Sequence, residues 1–391
     1  DEAYFRTPRD LIPGSVLRGA VVGEVLRAEG DPPPADGIFR QLFPADTAGP
    51  RFGYLHPTTS GGGDLAFPAP ATARSCKYHP GFANTAGRFE SRHGVGDILI
   101  RQVVQDEMLR LGVALPSVGH PRCPVCGSEV APFDAPFVMF ARGRYDVAEV
   151  PVRRVSHTAI DRHRGVAADG QLYTLETIEP ADAGGRPTTF RGSVRGSAGQ
   201  LALLHELLPR VRRIGSGKSR GLGEVTVTVR RRDEMWDPLD ALENRVSAFN
   251  AALRAAWGFY ERVASAAPLP DDALFFSVDL LAPAVLDRHG VPATVLGPDM
   301  LGLSQPARLV RAFATPTLTG GWHMGAGLPR RKVPAVEMGS VFLYRVDDVS
   351  VPDLLDRLTA LEREGIGREC DRGFGQVMVC MPFHYEAEVE L

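Results

Sequence analysis

Two ten-residue stretches constrain this chain more than anything else in it: IGSGKSRGLG at 214–223 and IGRECDRGFG at 366–375. They agree at five positions: the isoleucine, the first glycine, the arginine, and the two glycines that close each stretch. Glu369 stands where the first copy has Gly217. Each stretch follows apolar residues at helical spacing, over about 200–210 and 351–363. Each precedes an alternating, strand-like run, EVTVTV at 224–229 and QVMVC at 376–380. Helix, glycine-rich turn and strand thus recur with the same spacing at the end of each half. That recurrence points to a duplicated α/β unit.

The core of the first copy, Gly215-Ser-Gly-Lys-Ser219, invites comparison with a phosphate-binding P-loop, but the spacing excludes it. A P-loop needs a glycine five residues before the Gly-Lys pair, and that position is Arg212. The order is also reversed, because a P-loop follows a strand and opens a helix. Taken alone, the first copy reads as a tight helix-to-strand turn with a basic rim of Arg210, Arg212, Arg213, Lys218 and Arg220.

A length of 391 residues suits two or three domains. The cut falls at the basic run ending in Asp233, which divides the chain into residues 1–233 and 234–391. The overall charge of −3 hides an asymmetry. Residues 1–233 carry 30 Lys and Arg against 25 Asp and Glu, and the rest carry 14 against 22. The first part is therefore the better match for a polyanion. No run of eighteen apolar residues exists, so no membrane span is expected. Five scattered cysteines do not make a disulfide framework, and a reducing, cytoplasmic setting is expected.

Along the chain, Leu17, Val21, Val25 and Leu26 predict a first helix with Ser15 as its N-cap. A Pro/Gly/Ala-rich insertion spans about 31–130, relieved by a helix at 97–112 capped by Asp97. Residues 132–194 read as strands, followed by the helix at 200–210 and a strand at 224–230. The second half reads as a long helix over 238–264, a strand in ALFFSVDLLAP, strands at 308–314 and 340–346, and the helix at 351–363.

Within the insertion, Cys76-x2-His79 and Cys123-x2-Cys126 have the spacing of zinc knuckles. Three thiolates and one imidazole complete one tetrahedral structural zinc site that pins the insertion. His93 or His120 is an alternative to His79, and a redox CxxC is the alternative for Cys123 and Cys126. Cys370 and Cys380 read as small core residues.

The constellation resembles the RAMP superfamily, subunits of CRISPR effector complexes whose RRM-type domains carry a glycine-rich loop between last helix and last strand. IPGSVLRG at 12–19 resembles the segment that opens that family's first helix. HTAIDRHRGVA at 157–167, continuing to Leu172-Tyr173 and Glu176, is similar to its RNA-gripping hairpins. Gly320-Gly321-Trp322, Gly327-Leu328-Pro329 and Gly339-Ser340 resemble a pattern of the two-domain Cas-five group of type III complexes. Within that group the likeness is greatest to the Csx-ten subunit of subtype III-D.

The resemblance implies an α+β fold of two ferredoxin-like, RRM-type domains, βαββαβ each, with the zinc-knuckle insertion in the first. Only eleven residues precede Ile12, so the first strand of the first domain is expected to be absent from this sequence. The implied role is a non-catalytic, crRNA-binding subunit in antiviral defence. It holds the 5′ handle, caps the complex backbone, and docks against a neighbouring RAMP subunit and the large Cas-ten-type subunit, with target RNA nearby. The RNA contacts it implies are Gly14, Ser15 and Arg18 at the first helix; His157 and Arg162 on the hairpin; Gly215, Gly217, Lys218, Ser219, Arg220 and Gly221 in the first loop; and Trp322. Glycine lets phosphate approach backbone N–H groups, and arginine adds bidentate bonds. For Trp322 a core position is the alternative. The rival function is a RAMP-family endoribonuclease that processes crRNA or cleaves target RNA, using Asp10 and His157.

Overall fold

The computed structural model describes residues 10–44, 49–58, 65–83, 91–113, 121–141, 143–231, 241–264, 266–304, 306–323 and 327–391. His120 lies outside them, as do Arg232 and Asp233 of the basic run before the second half. The fold is α+β with several small sheets.

The first half opens with helix α1, Gly14–Glu29, which buries Leu17, Ala20, Val21 and Val25. Its N-cap is Pro13, not Ser15, and no side chain caps it. Proline suits this place because its missing N–H leaves nothing unpaired. After the short strand β1, Arg51–Phe52, the insertion contributes β2 (Ala73–Cys76), β3 (Val95–Asp97), helix α2 (Leu99–Arg110) and β4 (Val130–Pro132). A free-standing antiparallel hairpin follows, β5 (Val152–Asp161) with β6 (Val166–Ile178). Strand β7, Val194–Arg195, pairs with β1. Helix α3, Ala198–Leu207, starts with a capping box between Ser197 and Gln200.

The run 224–230, expected as a strand, forms no ladder. Glu224 makes one bridge to Arg213, and Val225 N–H donates to the Arg212 carbonyl at 2.9 Å. The alternation is nonetheless obeyed, because Val225, Val227 and Val229 pack on the core of α1 and α3. What is lacking among the described residues is a neighbouring strand for it to pair with.

In the second half α4 (Leu242–Ala264), β8 (Leu274–Leu280), β9 (Ala307–Phe313), the hairpin β10 (Pro316–His323) with β11 (Leu328–Val336), β12 (Val341–Val346), α5 (Val351–Glu364) and β13 (Val377–Val379) follow in order. Four strands make an antiparallel sheet ordered β9–β12–β8–β13. Its central strands, LFFSVDL and VFLYRV, are buried along nearly their whole length, mostly apolar but with Ser277, Asp279 and Arg345 among the buried residues. The link from β8 to β9 carries a small hairpin, 286–293, rather than a helix.

Packing crosses the division of the sequence. Leu99, Val103, Val104 and Met108 of α2, from the insertion, belong to the core of the second half. Glu107, 1 % exposed, takes Arg308 and Arg345 from β9 and β12 at 2.6 and 2.9 Å. The C-terminal strand β14, Val389–Glu390, adds in parallel to β3, so the insertion's sheet reads β14–β3–β2–β4. The joint is pinned by buried His384, whose ring lies 3.1 Å from Asp97 of β3 and 2.7 Å from Asp279 of β8. Burial alone lowers its pKa, but Asp279 and Asp97 outweigh that and lift it to about 10. Among the described residues no helix is long and apolar enough to cross a membrane.

Candidate functional site

Four ligand atoms from Cys76, His93, Cys123 and Cys126 lie within 4.8 Å of one another. Cys76 ends β2. Cys123 and Cys126 sit in a tight turn closed by Cys123 N–H to Ser128 and Gly127 N–H to Cys123, with Gly127 at φ +69°. The Cys76 and Cys126 sulfurs are 3.7 Å apart, and Cys123 Sγ is 3.4 Å from His93 Nδ1. A zinc tetrahedron with its usual bond lengths has S–S edges of about 3.8 Å and S–N edges of about 3.5 Å. The cluster therefore fits a structural zinc. Ser128 hydroxyl and N–H bonds lower the Cys126 thiol to a pKa of about 6, while burial raises that of Cys76. The free ring nitrogen of His93, Nε2, lies 3.1 Å from Ser91 Oγ, a contact that orients the ligand.

The fourth ligand is His93 and not His79. The two chain segments run side by side, His93 N–H bonding the His79 carbonyl at 3.1 Å, and the rings lie 4.2 Å apart at their centroids. His79 thus packs against the ligand ring rather than joining the tetrahedron. Spacing along the sequence could not separate the two histidines.

The two glycine-rich stretches adopt one backbone. In the first, Gly215, Gly217, Gly221 and Gly223 have φ of 74°, 73°, 82° and 77°; in the second, Gly367, Glu369, Gly373 and Gly375 have 74°, 60°, 92° and 67°. Glu369 therefore takes the left-handed conformation that its counterpart Gly217 takes, at a cost glycine avoids. Both loops carry one 3₁₀ turn, Lys218–Arg220 and Cys370–Arg372. Each is closed by its isoleucine N–H donating to its last glycine, at 2.9 and 2.8 Å. A Cβ on Gly223 or Gly375 would stand 2.0 or 1.8 Å from that isoleucine's carbonyl oxygen, so both positions demand glycine.

Their surroundings differ. The second loop is closed by the chain's own first half. Gly14 of α1 approaches it so tightly that a Cβ would meet the Phe52 and Arg372 carbonyls at 1.9 and 2.6 Å. Arg18 lies 3.7 Å from Asp371 and over the Phe43 ring. Arg195 donates to the Glu362 and Arg363 carbonyls at 2.6 Å, and Arg51 to the Glu364 carbonyl, so two guanidiniums cap the C-terminus of α5. The first loop is open: Gly215, Ser216, Lys218, Ser219, Arg220 and Gly221 are exposed, and a Cβ on Gly215 or Gly221 would meet nothing within 4 Å.

Of the other expected residues, Gly14 is buried in packing, Ser15 is exposed, and Arg18 is half-buried. His157 is half-buried in β5. Arg162 is exposed at the hairpin tip, where Asp161 accepts the His163 and Arg164 N–H groups at 2.9 and 3.2 Å. Trp322 is 56 % exposed and so is not a core residue.

No family model matches the sequence, and no curated protein matches it. Among solved structures, the chain is similar to one in the crystal structure of the Csm3–Csm4 subcomplex of the type III-A CRISPR-Cas interference complex. The alignment covers 85 % of this chain and 86 % of that one, at 12 % identity and a TM-score of 0.34.

Proposed function

We propose that this chain is a non-catalytic, RNA-binding subunit of a type III CRISPR effector of the RAMP type, close to the Csx-ten group. It holds the 5′ handle of the crRNA and caps the backbone beside a neighbouring RAMP subunit and the large subunit. The observation that carries the reading is a charge difference between two copies of one loop: 214–223 carries Lys218 and Arg220 with no acid, whereas 366–375 balances Arg368 and Arg372 with Glu369 and Asp371. The second copy, bearing Glu369 and Asp371 after Glu362 and Glu364, meets the chain's own arginines Arg18, Arg51 and Arg195. The first has the same backbone and is open, and Arg210, Arg212, Arg213, Lys218 and Arg220 are exposed on and beside it. A loop of the same backbone that is open and carries cations alone calls for an anionic occupant, and the motif resemblance makes that occupant crRNA phosphate. The strand order β9–β12–β8–β13 agrees with an RRM-type second half, although the helix expected between β8 and β9 is replaced by a hairpin.

Filter binding of crRNA across a salt series tests the reading. Lys218→Ala with Arg220→Ala weakens binding and lowers the slope of log affinity against log salt by about 1.4, the share of two single-strand phosphates. An unchanged slope counts against it. Shortened RNA after incubation with the purified chain would put the endoribonuclease reading, with Asp10 and His157, in its place.

A further inference from the structure

We propose that Cys126 is a site of oxidative modification by peroxide, and that Cys76 resolves the oxidised sulfur into a disulfide. The knuckle then has two states, one tied by a metal and one tied by a covalent bridge.

Three of the five cysteines meet at the zinc cluster, and they are not equivalent. Cys76 and Cys123 are 2 % and 3 % exposed. Cys126 is exposed, and so are Pro124, Val125 and Gly127 around it. A sulfur held as thiolate by a metal, open to solvent and next to a second sulfur is the kind that peroxide oxidises first. Cys126 has that setting, with Cys76 Sγ 3.7 Å away. A disulfide sets two sulfurs about 2.0 Å apart, so this pair closes by about 1.7 Å. The backbone around them is held while they do so. Cys76 pairs with Val130 across β2 and β4, Lys77 N–H donates to the Glu129 carbonyl at 3.1 Å, and Arg122 bridges Glu129 at the foot of the turn. None of these bonds needs the metal. Cys123 is the poorer partner, turned towards His93 with its Sγ 3.4 Å from Nδ1. Cys370 and Cys380 have no second sulfur in contact among the described residues. The Cys370 thiol donates to the Ile366 and Gly367 carbonyls, and Cys380 is fully buried.

The Cys126 thiolate attacks one oxygen of hydrogen peroxide, the O–O bond breaks, and hydroxide leaves a sulfenic acid on the sulfur. The Cys76 thiolate then attacks that sulfur, the S–O bond breaks, and a second hydroxide leaves as the S–S bond forms. Two thiolates are oxidised to one disulfide, and one peroxide is reduced to two hydroxides. Cys123 and His93 alone do not make a tetrahedral site, so they give up the metal to solvent. The disulfide holds the end of β2 to the turn but leaves His93 untied. His93 stands two residues before β3, whose Asp97 meets His384 where the insertion joins the second half. Oxidation of one exposed sulfur thus reaches the strand that carries the joint.

The test treats the full, zinc-loaded chain with excess hydrogen peroxide. A chromogenic chelator should report release of the bound zinc. Alkylation under denaturing conditions should then find three free thiols instead of five, and peptide mapping should find Cys76 joined to Cys126. Dimedone added together with the peroxide should tag Cys126. Dithiothreitol followed by zinc should restore the starting melting temperature. Cys126→His keeps a four-ligand set and should hold its zinc under the same peroxide. Retained zinc with five free thiols in the wild-type chain overturns the proposal. So does a mapped bridge between Cys123 and Cys126, a dimedone tag confined to Cys370, or zinc lost equally fast from a folded Cys126→His chain. Mapping on the wild-type chain decides the matter even where the variant does not fold.

Discussion

His384 gives the sharpest prediction. Its ring is fully buried and shared between Asp97 and Asp279, which are themselves held by Thr72 and Ser277 hydroxyls at 2.6 and 2.7 Å. The folded pKa is raised from 6.5 to about 10. A raised pKa means the folded state binds the proton more tightly than the unfolded state. The stabilisation is therefore complete below about pH 6.5 and drains away as pH climbs through 10. A shift of this size is worth about 5 kcal/mol, comparable with the whole stability of many domains. The assay is urea unfolding followed by Trp257, buried in α4 within the core that Asp279 helps to build. Its midpoint should fall steadily from pH 6.5 to 10. His384→Gln removes the cation, leaves two buried carboxylates facing each other, and should cost about 3–5 kcal/mol at pH 6. The gap between wild type and variant should then narrow towards pH 10. A gap that stays constant across that range would refute the charged-clamp account.

Other consequences follow from the same geometry. His93→Ala should lose bound zinc by metal analysis and melt several degrees lower, whereas His79→Ala should retain the metal. Glu107→Gln leaves Arg345 with Asp347 alone, takes the carboxylate from Arg308 and loosens α2 from the sheet, and denaturant unfolding should register about 1.5–3 kcal/mol lost. Gly375→Ala drives a methyl into the Ile366 carbonyl and should prevent soluble expression. Gly221→Ala meets open space and pays only the left-handed backbone cost, about 1–2 kcal/mol in a melting assay.

Local chemistry was legible in the sequence, and long-range chemistry was not. Two loops sharing five residues of ten proved to share a backbone down to the left-handed residue at Glu369, because glycine placement reports φ directly. The CPVC turn was equally readable, and so were the helices that became Ala198–Leu207 and Val351–Glu364. Asp97, expected as the cap of the helix at 97–112, instead ends β3 and the N-cap is Ile98, although Asp97 accepts the Leu99 N–H at 2.7 Å. The choice of His93 over His79 depends on how two segments lie side by side, which no spacing rule encodes. Nor does any local pattern announce that Asp97, Asp279 and His384 meet, or that Leu99 and Met108 fill a core built mostly after residue 241. The run 224–230 failed as a strand for a related reason. Alternation sets which side chains face inward, but a ladder requires a neighbour.

The failed ladder and the charge difference between the loops bear on each other. In the second half β13, the strand after the glycine loop, is fixed by pairing with β8, and the loop ahead of it is closed by the first half. In the first half the equivalent run is packed on one side only, and the equivalent loop is open and cationic. Among the described residues, the second loop is thus tied down at both ends, and the first has neither tie. A loop held by its own turns but not by its surroundings can adjust to a phosphate backbone, while the pinned copy anchors the two halves to each other. Two loops of one backbone that differ in charge can thus serve differently, the balanced one as a joint and, on the proposed reading, the cationic one as a binding surface. On that view the acids of the second copy are as necessary as the lysine of the first. Glu369→Gly with Asp371→Lys should loosen the joint by removing a partner of Arg18, and should not create a second RNA site, because α1 already covers that face.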